Sequence, residues 1–192
     1  MNVVTCSPES GEWAGRRVDA RRNHERVLAA AVEVFTEHGL GATIPQVAAR
    51  AGVGKATVYR SYPTKADLVQ ALAQLHIDWL KGLIEQVAQQ AQTDARQALD
   101  VLLQAIAGRL AQDRLMVEVL SGSDGIDDER STRQLERTLA LGRAQGTLRK
   151  DVTAMDVQVL VSGFARALID LEIRDPEVWR RYADLTLAAL RP

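Results

Sequence analysis

The chain has 192 residues, 24 Lys/Arg against 25 Asp/Glu, 46% hydrophobic but only 4% aromatic content, and one cysteine. That composition supports a globular core of packed Ala- and Leu-rich helices, and the lone Cys6 excludes an internal disulfide or a Cys-based metal cluster. No apolar run approaches the roughly 20 residues of a membrane helix, and Glu9 and Glu12 stand where a secretory signal would be basic, so the expectation is a soluble, cytoplasmic protein with no membrane role.

The near-zero net charge hides an asymmetry. Residues 14–66 carry nine Lys/Arg against four Asp/Glu, whereas residues 67–192 carry fifteen against nineteen. A basic front on an acidic body points to a polyanionic partner for the front alone.

Residues 1–15 lack periodicity and hold Ser7, Pro8, Ser10, Gly11 and Gly15, which predicts a disordered tail. Arg16, Arg17, Arg21 and Arg22 follow, and two readings stand for them: an arm reaching a minor groove, or a solvated stretch. An amphipathic helix is predicted from about Ala20 to His38, with Val27, Leu28, Ala31, Val34 and Phe35 on one face and Gly39 as its stop. Thr43 and Gln46 form a capping-box pattern before the next helix, whose buried face is Ile44, Val47, Ala48 and Ala51 and whose end is Gly52. After a turn anchored by Val53, a short helix runs from Lys55 to Tyr62 and halts at Pro63. Thr64 caps a long helix to about Gln92, with Asp67 near its positive end. Further helices are predicted over 94–112, 114–121, 127–144, 153–172 and 175–190, with a Gly/Ser/Asp-rich loop over 121–129. Thr153/Asp156 and Asp175-Pro176-Glu177 mark the last two starts. The fold class is therefore all-α.

Helix, glycine turn and second short helix make a helix-turn-helix, a corner that lays its second helix in the DNA major groove. Lys55 suits guanine O6 and N7, and Ala56 and the Thr57 methyl suit a thymine methyl. Tyr59, the Thr57 hydroxyl and Lys65 suit phosphates, Arg60 adds a further cation, and Thr43 sits at a helix N-terminus that favours a phosphate. Val58 and Tyr62 should point inward. The competing reading takes the corner as purely structural, with Tyr59 in the core and Lys55, Arg60 and Lys65 on an ordinary solvated face.

From Arg22 to Leu72 the chain resembles the TetR-type one-component regulators, most specifically through A-G-V-x-K-A-T-V-Y-x-x-Y-P-T-K-A-D-L. The resemblance implies an N-terminal three-helix DNA-binding domain, a larger C-terminal multi-helix regulatory domain, a homodimer, and repression relieved by a small molecule. By position, Thr43, Lys55, Ala56, Thr57, Tyr59, Arg60 and Lys65 fall on DNA-contacting sites. Gly54 replaces a frequent capping serine and Ser61 a frequent aromatic, which weakens a cap and removes one phosphate contact. The domain boundaries expected are 1–15 for the tail, 16–63 for the DNA-binding domain and 64–192 for the ligand-binding and dimerisation domain.

For the body the resemblance extends only to length and helix order. The last two helices present apolar stripes, one of Leu160, Phe164 and Leu168, the other of Trp179, Tyr182, Leu185 and Ala189. Paired about a two-fold axis they would form a four-helix bundle, although both stripes also suit an intrachain core. A dimer would read double-stranded operator DNA as a palindrome. A pocket for an apolar or amphipathic effector is expected among Trp79, Leu83, Leu103, Ile106, Met116, Leu120 and Phe164. No cofactor, metal site or catalytic group is expected, since His24, His38 and His76 lie in no metal or nucleophile motif. Two alternatives stay open: an activator of the same family, and a helical protein-interaction module with no DNA role.

Overall fold

The computed structural model describes residues 9–113 and 129–192, with backbone alone at 9–21 and Leu40. Among these residues lie eight α-helices and no strand: α1 (Glu9–His38), α2 (Ile44–Ala51), α3 (Lys55–Ser61), α4 (Lys65–Gln90), α5 (Ala95–Gln112), α6 (Glu129–Ala144), α7 (Ala154–Asp170) and α8 (Pro176–Ala189). The all-α expectation holds, and most helix limits fall within two residues of those read from the sequence. The exception is α1, which begins at Glu9 and not near Ala20. Gly and Ser cost a helix only about 1 kcal/mol or less each, and propagation from a helix already formed tolerates that cost. The predicted helix 114–121, the loop 121–129 (save Glu129, which opens α6), and residues 1–8 of the tail lie outside the described residues.

The chain divides into two compact units, Met1–Leu72 and Ala73–Pro192. In the first, α1 packs on α2 and α2 on α3. Val27, Ala31, Val34 and Phe35 of α1, Ile44, Val47, Ala48 and Ala51 of α2, Val58 of α3, and Leu68 and Leu72 of α4 are all buried. Burying Phe35 alone contributes about 2–3 kcal/mol.

In the second unit α5 lies centrally, packed on α6, α7 and α8. Its Leu99, Leu102, Leu103 and Leu110 share a core with Val87, Leu139, Leu168, Trp179 and Leu190. Local chemistry fixes the helix ends. Asp94 accepts from Gln97 N at 2.9 Å, and Asp175 accepts from Glu177 N at 2.9 Å. Thr153 and Asp156 make a complete capping box. Gln145 closes the turn between α4 and α5 from both sides: its Oε1 accepts from Ala95 N at 2.9 Å and its Nε2 donates to Ala91 O at 3.1 Å. Gly142 of α6 leaves room for Leu148, whose side chain occupies the space a Cβ would take.

Candidate nucleic-acid interface

The corner in the first unit is built from the backbone outward. Thr43 opens α2 with a complete capping box: Gln46 N donates to its Oγ1, and the Thr43 N–H donates to Gln46 Oε1 at 2.8 Å. Gly52 closes α2 in the left-handed region, at φ +63°. The N–H groups of Gly52 and Val53 then return to Ala49 and Ala48 carbonyls at 3.2 and 3.0 Å, the Schellman pattern. A Cβ at Gly52 would also stand 2.9 Å from Nη2 of Arg26. That nitrogen donates to Ala51 O at 2.6 Å, so α1 braces the last carbonyls of α2. Val53 is half-buried, less enclosed than a core anchor.

α3 has no side-chain cap, because Gly54 precedes it; only its carbonyl engages, accepting from Thr57 N at 2.9 Å. The helix is held instead by packing. Val58 is fully buried, and Tyr62, just past the last turn, is 5% exposed. The Tyr62 hydroxyl lies 3.0 Å from Nδ1 of His24 on α1, and burial pushes its pKa up. With Val58 and Tyr62 turned inward, Lys55, Ala56, Tyr59 and Arg60 lie on the exposed side, as two neighbouring i, i+4 rows. Tyr59 is 45% exposed, which rules out the core-tyrosine alternative. Lys55, Tyr59 and Arg60 engage no partner among the described residues, and from Gly52 to Ala66 the sequence holds three cations and no acid.

The remaining sequence-derived positions sit differently. Thr57 is half-buried. Thr43 is exposed at the start of α2, but its hydroxyl already contacts Gln46 Oε1 at 2.8 Å. Lys65 is half-buried at the start of α4, its Nζ 5.7 Å from the centroid of the Phe35 ring, so its stem covers core. Of the arginines ahead of the first helical face, Arg22 is exposed, and the side chains of Arg16, Arg17 and Arg21 lie outside the described residues.

The sequence reading missed two groups that shape the corner. One is Arg26. The other is Arg50, whose guanidinium bridges Glu33 at 2.9 Å and Glu37 at 2.7 Å, tying α2 to α1. The hydrogen bond from Arg50 holds the Glu37 carboxyl below the usual carboxylate range, while the two acids raise the pKa of Arg50. Only the general need of the last carbonyls of α2 for partners hinted at Arg26.

In the second unit, an apolar cavity of about 70 Å³ is lined by Leu80, Ile84, Leu102, Ile106, Val161 and neighbours. Of the expected pocket residues only Ile106 lines it. Leu103 and Phe164 belong to the core, with Leu83 and Trp79 packed against it, and Met116 and Leu120 lie outside the described residues. The expected dimer stripes divide. Phe164, Leu168 and Trp179 fill the unit's own core, because the inner flank of each stripe packs between α5, α7 and α8; Trp179 Nε1 even donates to Ile173 O at 3.0 Å. Leu160, Tyr182, Leu185 and Ala189 remain exposed, and Met155 and Val159 of α7 are exposed beside them. Among the described residues no group of three or more His, Cys, Asp or Glu could hold a metal ion, and no helix is long and apolar enough to cross a membrane.

Residues 27–72 match the family described as bacterial regulatory proteins, tetR family. The transcriptional activator FasR of Mycolicibacterium smegmatis is 28% identical over 67% of this chain and 59% of its own length. The repressor LfrR of the same organism is 41% identical over 33% of each chain. The match thus spans less than two thirds of either of these relatives. Among solved structures, the TetR transcription regulatory protein from Mycobacterium vanbaalenii is 30% identical, covers 92% of this chain and 99% of its own, and superposes with a TM-score of 0.60. The corner, the helix order and this near-complete overlap agree: the chain belongs to the TetR family of bacterial regulatory proteins.

Proposed function

We propose that the protein is a sequence-specific DNA-binding transcriptional regulator, a cytoplasmic homodimer that represses from a palindromic operator and is released by a small apolar or amphipathic molecule. The observation that carries DNA reading is the outward face of α3: Lys55, Tyr59 and Arg60 are exposed and unengaged on a helix fixed by buried Val58. Lys55 and Arg60 suit base edges and phosphates, Ala56 and the Thr57 methyl suit thymine, and Tyr59, Thr43 and Lys65 suit the backbone.

Dimerisation is supported by the apolar surface left on α7 and α8, where Leu160, Tyr182 and Leu185 stand exposed with Met155 and Val159. A contiguous apolar patch of this kind marks a partner site, and a second copy burying the same face is the isologous solution. Release by a ligand is supported by the cavity beside α4. At about 70 Å³ it is small against the several hundred Å³ of a typical ligand site, so occupancy would have to open it. The ligand would act by drawing the population away from the DNA-competent state.

Activation is the second reading, favoured by FasR, which is named an activator and aligns over 67% of this chain. Selection of bound fragments from genomic DNA, at near-physiological salt to suppress non-specific phosphate binding, tests the main reading. Enrichment of one palindrome is expected; a folded dimer that enriches nothing would leave the corner purely structural. Transcription from a promoter carrying the enriched site then separates repression from activation by its sign.

A further inference from the structure

The outward row of α7 changes size along its length. Met155, Val159, Gly163 and Ala167 recur every four residues, so they share one side of the helix. All are exposed, Met155 at 64% and Val159 at 59%. The row thus starts large and ends small. Gly163 has no role within the subunit. A glycine costs a helix interior more than an alanine does, and a close neighbour is the usual reason to keep one. Gly142 has such a neighbour in Leu148, whereas a Cβ at Gly163 would meet nothing within 4 Å. Two charges flank the row at opposite ends. Asp156 is exposed beside Met155, its Oδ2 accepting from Thr153 N at 2.8 Å. Arg166 is exposed beside Ala167, and its Nε donates to Asp170 at 3.1 Å, a surface pair of little strength.

A second copy with α7 turned end for end answers each of these features. A two-fold axis crossing α7 at the level of position 161 lays the large half of one row on the small half of the other. Val159 then fills the space over the partner's Gly163, where the two backbones can approach closely. Met155 covers the partner's Ala167, and Asp156 faces the partner's Arg166 across the interface. Position 161 is the midpoint of all three pairs, two matched in size and one in charge, and the symmetry makes each contact twice. A parallel pairing offers none of this, because it sets Met155 on Met155, Gly163 on Gly163 and Asp156 on a second Asp156. An antiparallel pairing centred at 159 or at 163 sets Val159 or Gly163 on itself.

We infer that two copies of this chain pair α7 against α7 in antiparallel fashion about an axis at position 161, with Val159 of each seated on Gly163 of the other. This deepens, and rests on, the proposal that a second copy covers the apolar face of α7 and α8; it adds the direction and the register. It also makes the face selective. Another copy of this chain fits it, and a related chain with a bulky side chain at position 163 is refused by a clash.

The test is sedimentation of the full chain without DNA, with two variants measured alone and mixed. Gly163→Val keeps the subunit folded, since a side chain there starts in open space and valine is the better helix former. Its dimer dissociation constant is expected to rise at least about tenfold over the parent, because valines then meet on both sides of the axis. Val159→Gly alone is expected to weaken the dimer by leaving two gaps. Mixed in equal amounts, the two variants are expected to pair within about threefold of the parent affinity, since each valine again opposes a glycine. A parent dimer that tolerates Gly163→Val overturns the inference, and so does a mixture that gains nothing over either variant alone. A parent chain that stays monomeric overturns the dimer reading and this inference together, so the two failures are distinct. Should Val159→Gly not fold, cross-linking takes its place. In a Cys6→Ser background, Val159→Cys mixed with Gly163→Cys is expected to form a disulfide-linked dimer at least about tenfold faster than either alone, and equal rates overturn the register.

Discussion

In Met1–Leu72 the polar side chains brace backbone corners. Arg26 holds the end of α2, Thr43 and Gln46 its start, Thr64 and Asp67 the start of α4, and Tyr62 reaches His24 on α1. The cations of α3 remain outside, on a helix anchored by buried Val58. In Ala73–Pro192 the distribution inverts. His76, Arg109 and Asp113 cluster among the helices, while Leu185, Val159 and Met155 face outward. A polyanion such as DNA is read by charge on a rigid surface, whereas a small molecule and a second copy are met by apolar surface, enclosed or exposed. The two patterns thus match the two kinds of recognition proposed for this chain.

The sharpest way to break the contrast is to remove charge from α3. Lys55→Ala with Arg60→Ala should weaken operator binding on the order of a thousandfold, because each side chain that reaches a base edge contributes about 1–3 kcal/mol. Both residues are exposed and unengaged, so the unfolding midpoint should hold; a measured affinity unchanged in a gel-shift titration would sink the assignment of the recognition helix. The apolar face of the other unit is tested by Leu185→Glu. Placing a charge on the proposed dimer face should raise the dimer dissociation constant by on the order of a hundredfold, about 3 kcal/mol, visible as monomer in sedimentation velocity. A dimer that persists in this variant moves the interface elsewhere.

Smaller effects sharpen the difference between rigid corner and packed body. Gly142→Ala drives a methyl into Leu148 and should cost the second unit about 1–3 kcal/mol in urea unfolding, with operator affinity of the folded protein unaltered. The smallest effect concerns the Arg50 clamp. Glu37 has a lowered pKa in the folded state, so its contribution is present above the ordinary carboxylate range and is lost as pH falls through the lowered value. Glu37→Gln should flatten that part of the melting-temperature profile below about pH 4. An unchanged acid limb would mean that Arg50 is served by Glu33 alone.

Legibility followed the range of the interaction. Thr43/Gln46, Gly52, Thr153/Asp156 and Asp175-Pro176 were readable because a cap or a left-handed turn involves residues a few positions apart. The outward face of α3 was readable for the same reason, once Val58 was turned inward. Arg26 was not, because it reaches a carbonyl 25 residues away, and nothing in its own surroundings names that partner. The His76 cluster was equally hidden, since Arg109 lies 33 residues on. Periodicity found the stripes on α7 and α8 but could not divide them, because spacing shows that a face is apolar and not which neighbour covers it. Trp179 and Leu185 differ only in what packs against them.

The end of α8 carries a practical consequence. Leu190 is 2% exposed, and its carbonyl accepts from Arg149 N at 2.9 Å, so the residue just after the helix clasps the turn between α6 and α7. Cleavage of the chain ahead of Leu190 would therefore remove part of the core and not a loose end. Preparations cut ahead of Leu190 should behave as a different, softer protein, and batch-to-batch differences in stability would trace to the fraction of chains that keep this residue.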